Sequence, residues 1–302
     1  AAIASEGLHV DSQEKLVFDV SNPLIQYLLT HPEVVVIDKS RREFKYFELK
    51  EVFNEALMMP LKVGGKVQGI LWVARRPKSH KFSDGAKTVM NYMGNALGYM
   101  TENLDLITEV QERAFNIVKG LAKALEQKDE YTRGHSNHVS QYSVMFAHHL
   151  GLDRNSIETI ERAALLHDIG KIGIPDNVLN KPGKLTDEEF EIIKSHPLYG
   201  AELLKILGFL KNEQVLILHH HEKFDGTGYP YGLTADKIPR GSAIISLADV
   251  FDALTTDRPY RKAFSVEKAI EIMQEMKGKN FEPSLCDEFI KFVNMRLNKN
   301  RK

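Results

Sequence analysis

One cysteine, Cys286, occurs in the 302 residues. An intrachain disulfide is excluded, and so is a zinc site built on several thiolates. That usage fits a reducing compartment, and the expected location is the cytoplasm. Charge of one sign is also missing, with 40 Lys and Arg against 41 Asp and Glu. A balanced chain has no global basic field to draw in a nucleic-acid polymer, so none is expected as a partner. No apolar run approaches the ~20 residues of a membrane helix. Ala1-Ala2-Ile3-Ala4 is too short and uncharged for a signal peptide. Internal repeats and low-complexity segments are absent from the sequence.

What is present is ordinary in bulk: 43% hydrophobic and 27% charged residues. This is the composition of a globular protein, and the length suits two domains. The distribution of histidine is not ordinary. Of 12 histidines, nine lie between His135 and His221. Histidine is the commonest metal ligand, so this bunching is the first functional signal.

Residues 1–100 read as mixed α/β. Val34-Val35-Val36-Ile37 is a short β-branched strand, and residues 60–73 form a hairpin around Gly64-Gly65. A helix opens after Phe82, with Ser83 or Asp84 as N-cap, and continues or restarts through residue 128. Along it Leu104, Ile107, Gln111, Ala114, Val118, Leu121 and Leu125 alternate at spacings of three and four. This is an a/d seam, which fits either packing on its own domain or a parallel coiled coil between two subunits.

From residue 129 the pattern is helical, as in 136–150, 156–167, 186–195, 198–207, 243–256 and 266–278. Thr186 to Glu189 is a capping box. His167-Asp168 closes an apolar helix, and Gly170 frees the backbone so that both side chains can reach one cluster. The dipeptide alone is weak evidence. His135, His196, His220-His221 and Asp249 each lie on or beside another apolar helix. Any one histidine is more often structural, but five such stretches in one helical region make a joint structural explanation poor. Imidazole with carboxylate suits Fe, Mn or Zn, and a carboxylate can bridge two cations.

These stretches resemble one family. Asp129 to His135, Leu166-His167-Asp168-Ile169-Gly170-Lys171-Ile172-Gly173-Ile174-Pro175, Ser195-His196-Pro197, His220 to Pro230 and Ala248 to Arg261 are similar in order, spacing and wording to the HD-GYP branch of the HD phosphohydrolases. The resemblance implies an all-α HD-type domain over residues 129–302 and a cyclic di-GMP phosphodiesterase yielding pGpG, GMP or both. It implies His135, His167, Asp168, His196, His220, His221 and Asp249 as metal ligands, with Asp168 bridging and catalytic. Two or three divalent ions are expected, iron first and manganese second. Glu130 is the candidate ligand of a third, with Glu126 in reserve.

Lys171 is expected beside the scissile phosphate as a catalytic and substrate-binding point charge. Asp252, Arg258 and Arg261 are expected on the substrate, although Asp252 can also orient a ligand, receive a proton or pair with an arginine. Gly228-Tyr229-Pro230 forms a tight loop suited to substrate or to a signalling-protein partner. Two metals ~3.5–4 Å apart would clamp a phosphodiester for in-line attack by water. Residues 1–100 resemble GAF domains, acting as a sensor or dimerisation module. A linker helix over 101–128 would complete a homodimer. The competing readings are hydrolysis of another cyclic nucleotide and a non-catalytic module that binds ligand or partner.

Overall fold

The computed structural model describes residues 21–46, 53–75, 81–128, 134–257 and 261–300. The chain divides into two compact units, Ala1–Gln111 and Glu112–Lys302.

In the first unit, helix α1 (Pro23–Thr30) begins on Asn22, whose side chain accepts from the Leu24 amide at 2.9 Å. Strands β1 (Val35–Asp38), β2 (Glu55–Val63) and β3 (Lys66–Arg75) form an antiparallel sheet in that order. The β2–β3 turn is Gly64-Gly65, with φ of 56° and 76°, the left-handed pair that a two-residue hairpin favours. Pairing reaches back to Glu55 opposite Arg75, further than the sequence pattern indicates. The reason lies in β2, which is buried on both faces and so lacks alternation. Ala56 and Met58 join Leu24, Leu28 and Ile37 on one side. Leu57 and Met59 meet Met90 on the other.

Met90 belongs to helix α2 (Asp84–Lys128), which runs 45 residues without a restart. Ser83 Oγ accepts from the Ala86 amide at 3.2 Å and starts it. Its a/d seam is not uniform. Leu104 and Ile107 are 64% and 53% exposed, whereas Val118 is buried with Phe115 and Ala122 in the core of the second unit.

The second unit is helical: α3 (His135–His149), α4 (Arg154–Leu166), α5 (Asp176–Leu179), α6 (Asp187–Ile193), α7 (His196–Leu207), α8 (Lys211–Leu218), α9 (Arg240–Thr255), α10 (Val266–Met276) and α11 (Pro283–Asn300). Asp153, Thr186 and Ser265 cap α4, α6 and α10 with their side chains. The Thr186–Glu189 capping box is formed in both directions. Helix α3 lies in the middle, packed on α4 and α9, and Phe146 meets Phe289 of α11 edge-on at 5.0 Å. Cys286 is buried and unpaired in this core. Among the described residues no helix is long and apolar enough to cross a membrane.

Candidate metal centre

All but one of the candidate ligands sit where a helix begins or ends, because there the backbone can turn a short side chain toward a common point. His135 is the first residue of α3 and His196 the first of α7. His167-Asp168 follows α4, and His220-His221 follows α8. Asp249 alone lies mid-helix, on α9. Gly170 brings two of these ends together. A Cβ there would overlap the carbonyl of His196 and the amide of Gly200, so only glycine lets the turn after Asp168 lie against α7.

The donor atoms fall into three groups, each lying within 4.8 Å of one another: His135, His167 and Asp249; His167, Asp168 and His220; His196, His220 and His221. The middle group shares His167 with the first and His220 with the third. Asp168 thus lies between two sets, with Oδ2 3.5 Å from His167 Nε2 and Oδ1 3.4 Å from His196 Nε2.

The imidazoles are aimed by their other nitrogen. Nδ1 of His167, His196 and His220 donates to the carbonyl of Ala164, Ile193 and Ile217 at 2.8, 2.8 and 2.6 Å. A carbonyl only accepts, so each Nδ1 carries the proton and, in the neutral ring, each Nε2 presents a lone pair. Nε2 of His196 and His220 then face each other at 3.5 Å. Two buried lone pairs at that distance repel, and a cation between them turns repulsion into ligation. Burial pushes the His196 imidazole down to about 4 and His221 to about 3, and drives His220 well below its ordinary value. All three are neutral at pH 7, the state a metal requires. Burial opposes ionisation of Asp168, but Lys171 and then His167 hold its carboxyl well below the ordinary range. The donor set therefore fits divalent cations on its own chemistry.

His135 differs. Burial disfavours its charged form, yet hydrogen bonds to Asp249 and Asp252 outweigh this and lift it to about 10. Its Nε2 is 3.1 Å from Asp249 Oδ1, and its Nδ1 is 2.6 Å from Asp252 Oδ2. A divalent cation beside Nε2 and Asp249 would replace the proton held there.

Asp252 was expected on the substrate. It is buried behind His135, where the alternative role of orienting a ligand would put it, bridging His135 and His138 and accepting from Thr256 Oγ1 at 3.1 Å. Arg261, also expected on the substrate, is committed to the chain end of α9. It donates to the carbonyls of Ala253 and Leu254 at 2.6 and 3.3 Å, and its guanidinium lies 4.1 Å from the Phe264 ring centre. Glu130 and Arg258 lie outside the described residues. Among the described residues Glu126, the reserve acid, joins no donor group. Its carboxylate accepts from the Ser136 and Gly134 amides at 2.8 and 3.3 Å.

Lys171 Nζ donates to Asp168 Oδ2 at 2.7 Å, which places its charge at the centre. Gly228, Tyr229 and Pro230 are half-buried, and the Tyr229 ring lies 4.8 Å from that of His221. Glu222 pins the same loop, accepting from the Tyr231 and Leu233 amides at 2.8 and 2.9 Å. The sequence signals Glu222 only as the acid after a histidine pair, and its partners are set by the loop. A separate cavity of about 350 Å³ lies behind this loop, lined by Phe224, Ala243, Leu247 and Phe281 among others. It holds none of the histidines, so the larger space and the converging donors do not coincide, and the chemistry follows the donors.

A family model described as HD domain matches residues 119–285. The chain is 39% identical over 198 residues to the cyclic di-GMP phosphodiesterase response regulator RpfG of Xanthomonas campestris, covering 65% of this chain and 52% of that protein. It is 38% identical over 208 residues to 3'3'-cGAMP-specific phosphodiesterase 2 of Vibrio cholerae, covering 66% and 40%. It is 38% identical over 189 residues to a cyclic di-GMP phosphodiesterase of Thermotoga maritima, covering 62% and 51%. The chain thus spans about half the length, or less, of these curated relatives.

Proposed function

Because this chain belongs to the HD domain family, we propose that it is a metal-dependent phosphodiesterase of the HD-GYP branch, hydrolysing cyclic di-GMP to pGpG, GMP or both. The observation that carries this is the linkage of three donor groups through His167 and His220, with Asp168 between them.

His135, His167 and Asp249 would hold one ion, His196, His220 and His221 a second, and Asp168 would reach both. Iron is the first choice and manganese the second, on ligand type. Bound there, such a pair supplies Lewis acidity toward a phosphodiester and acidifies water. The protein's own part is positional. Three backbone carbonyls fix the imidazole tautomers. Lys171 keeps Asp168 ionised and sets a positive charge where a phosphate oxygen gains negative charge. The Tyr229 ring packs beside that of His221. Burial, then Asp168 and Asp249, push its phenol above the ordinary range, so it acts as a stacking and hydrogen-bonding group.

The similarity to a 3'3'-cGAMP-specific enzyme favours a second reading, in which the same centre opens that dinucleotide. Incubating the manganese- and iron-loaded protein with cyclic di-GMP, 3'3'-cGAMP and linear pGpG separates them by product chromatography. Fastest cleavage of cyclic di-GMP supports the first reading. Faster cleavage of 3'3'-cGAMP supports the second, and cleavage of neither sinks both.

The sheet unit reads as GAF-like, supported by the hairpin and the helix that follows it. A homodimer along α2 is supported by the exposed Met100, Leu104 and Ile107, spaced by four and three. The activity would serve second-messenger signalling in the cytoplasm, with the Gly228-Tyr229-Pro230 loop and the exposed Tyr231 beside it as the surface for a signalling protein.

A further inference from the structure

We infer that Glu126, near the end of α2, is a positioning residue for His135, acting through the first turn of α3. Helix α3 starts without a cap of its own. Its N-cap residue is Gly134, at φ 82°, and it offers no side-chain acceptor. The first amides of a helix have no partner within it. Here the Glu126 carboxylate takes that place, Oε1 accepting from Ser136 N at 2.8 Å and Oε2 from Gly134 N at 3.3 Å. Both are charge-assisted bonds at the positive end of a helix. Glu126 is 8% exposed and Ser136 6%, so water is a poor substitute partner.

His135 lies between those two amides in sequence. One carboxylate thus grips the backbone on both sides of the residue, while Asp249 and Asp252 on α9 grip its ring. A metal ligand has to be held within about 0.5 Å of its productive position, so both grips matter. Glu126 is near the centre but is not a donor in it. A void of about 10 Å³, lined by Glu126, Ser136, Asp168 and Lys171 among others, is at the lower limit for one water.

The inference rests on His135 being a metal ligand, and the test separates the two. Mn(II) affinity is measured by chelator competition and ion count at saturation by mass spectrometry, on the full chain, with folding followed by circular dichroism. Glu126→Ala is expected to weaken Mn(II) binding about tenfold with the ion count unchanged. Glu126→Gln keeps an acceptor for Ser136 and is expected to stay within about threefold of the parent. If the Ala variant fails to fold, Glu126→Asp, one methylene short of the amides, takes its place with the same expectation. Unchanged affinity with a lowered melting temperature would make Glu126 a structural cap only and overturn the inference. Loss of one ion in both the Ala and Gln variants would make it a ligand and overturn it too. A His135→Ala variant with parental affinity and ion count would remove the reading beneath it, independently of Glu126.

Discussion

The sheet unit and the helical unit fill their buried positions differently. Among the described residues of the first, Glu55 is the buried polar side chain, and it accepts from the Phe82 amide at 2.9 Å. Everything else buried there is apolar, from Leu24 and Ile37 to Met58 and Met59. In the second, His135, His167, His196, His220, Glu222 and Asp252 are all buried, four of them histidines that supply the linked donor groups. Burying a polar group costs free energy unless it is paired. A fold optimised only for packing keeps one such group where a strand end needs it. A cluster of imidazoles aimed at one another has no such excuse and calls for a cation.

The contrast can be broken in either direction. Asp168→Ala removes the group between the two donor sets. Bound metal is expected to fall, and cyclic di-GMP hydrolysis to drop by on the order of a thousandfold. Full metal content with parental turnover would end the proposal for this centre. Leu57→Ala, by contrast, opens a cavity where β2 meets α2. It should destabilise the sheet unit by about 2–5 kcal/mol in denaturant melts. Metal content of the helical unit is expected to stay at the parental value, and a fall in it would show that the units are not separable. Asp252→Asn is subtler, since it keeps the shape but removes the charge that aims His135. Metal affinity should fall about 10- to 100-fold, with the fold unchanged by circular dichroism.

Much of the candidate centre was legible because its donors are histidines and acids, most of them at helix ends, where Gly170 and the apolar runs mark the boundaries. Arg261 was not, and Asp252 was legible only as one of several alternatives. Asp249 and Asp252 lie one turn apart, and nothing in the spacing tells that His135 sits between them, one carboxylate at each ring nitrogen. Arg261 reads as a substrate contact until the chain folds back, with Phe264 N bonded to the Leu254 carbonyl, and brings its guanidinium to the end of α9. The start of β2 was hidden for another reason. Glu55-Ala56-Leu57-Met58-Met59 is built of helix formers, and burial on both faces overrides that preference and erases the alternation that marks a strand.

The smallest expected effect concerns a buried acid that the metal centre does not use. Glu213, in the first turn of α8, is 6% exposed. Burial raises its carboxyl above the ordinary value, with its own backbone amide and then Arg162 opposing. A raised folded pKa means that the folded state holds this proton more tightly than the unfolded state. The favourable contribution is therefore fully present below the unfolded value near 4.5 and is lost as pH rises through the folded one. At neutral pH the ionised group is a net cost. Glu213→Gln keeps the shape without the charge, so it should stabilise the protein at pH 7 by under about 1 kcal/mol, with the gap narrowing toward pH 4. Urea melts at both values measure it. An equal gap at both would mean that packing, not ionisation, separates the variant from its parent. Metal content should not change in either case, which sets this buried acid apart from Asp252, on the next helix of the fold but bonded to His135.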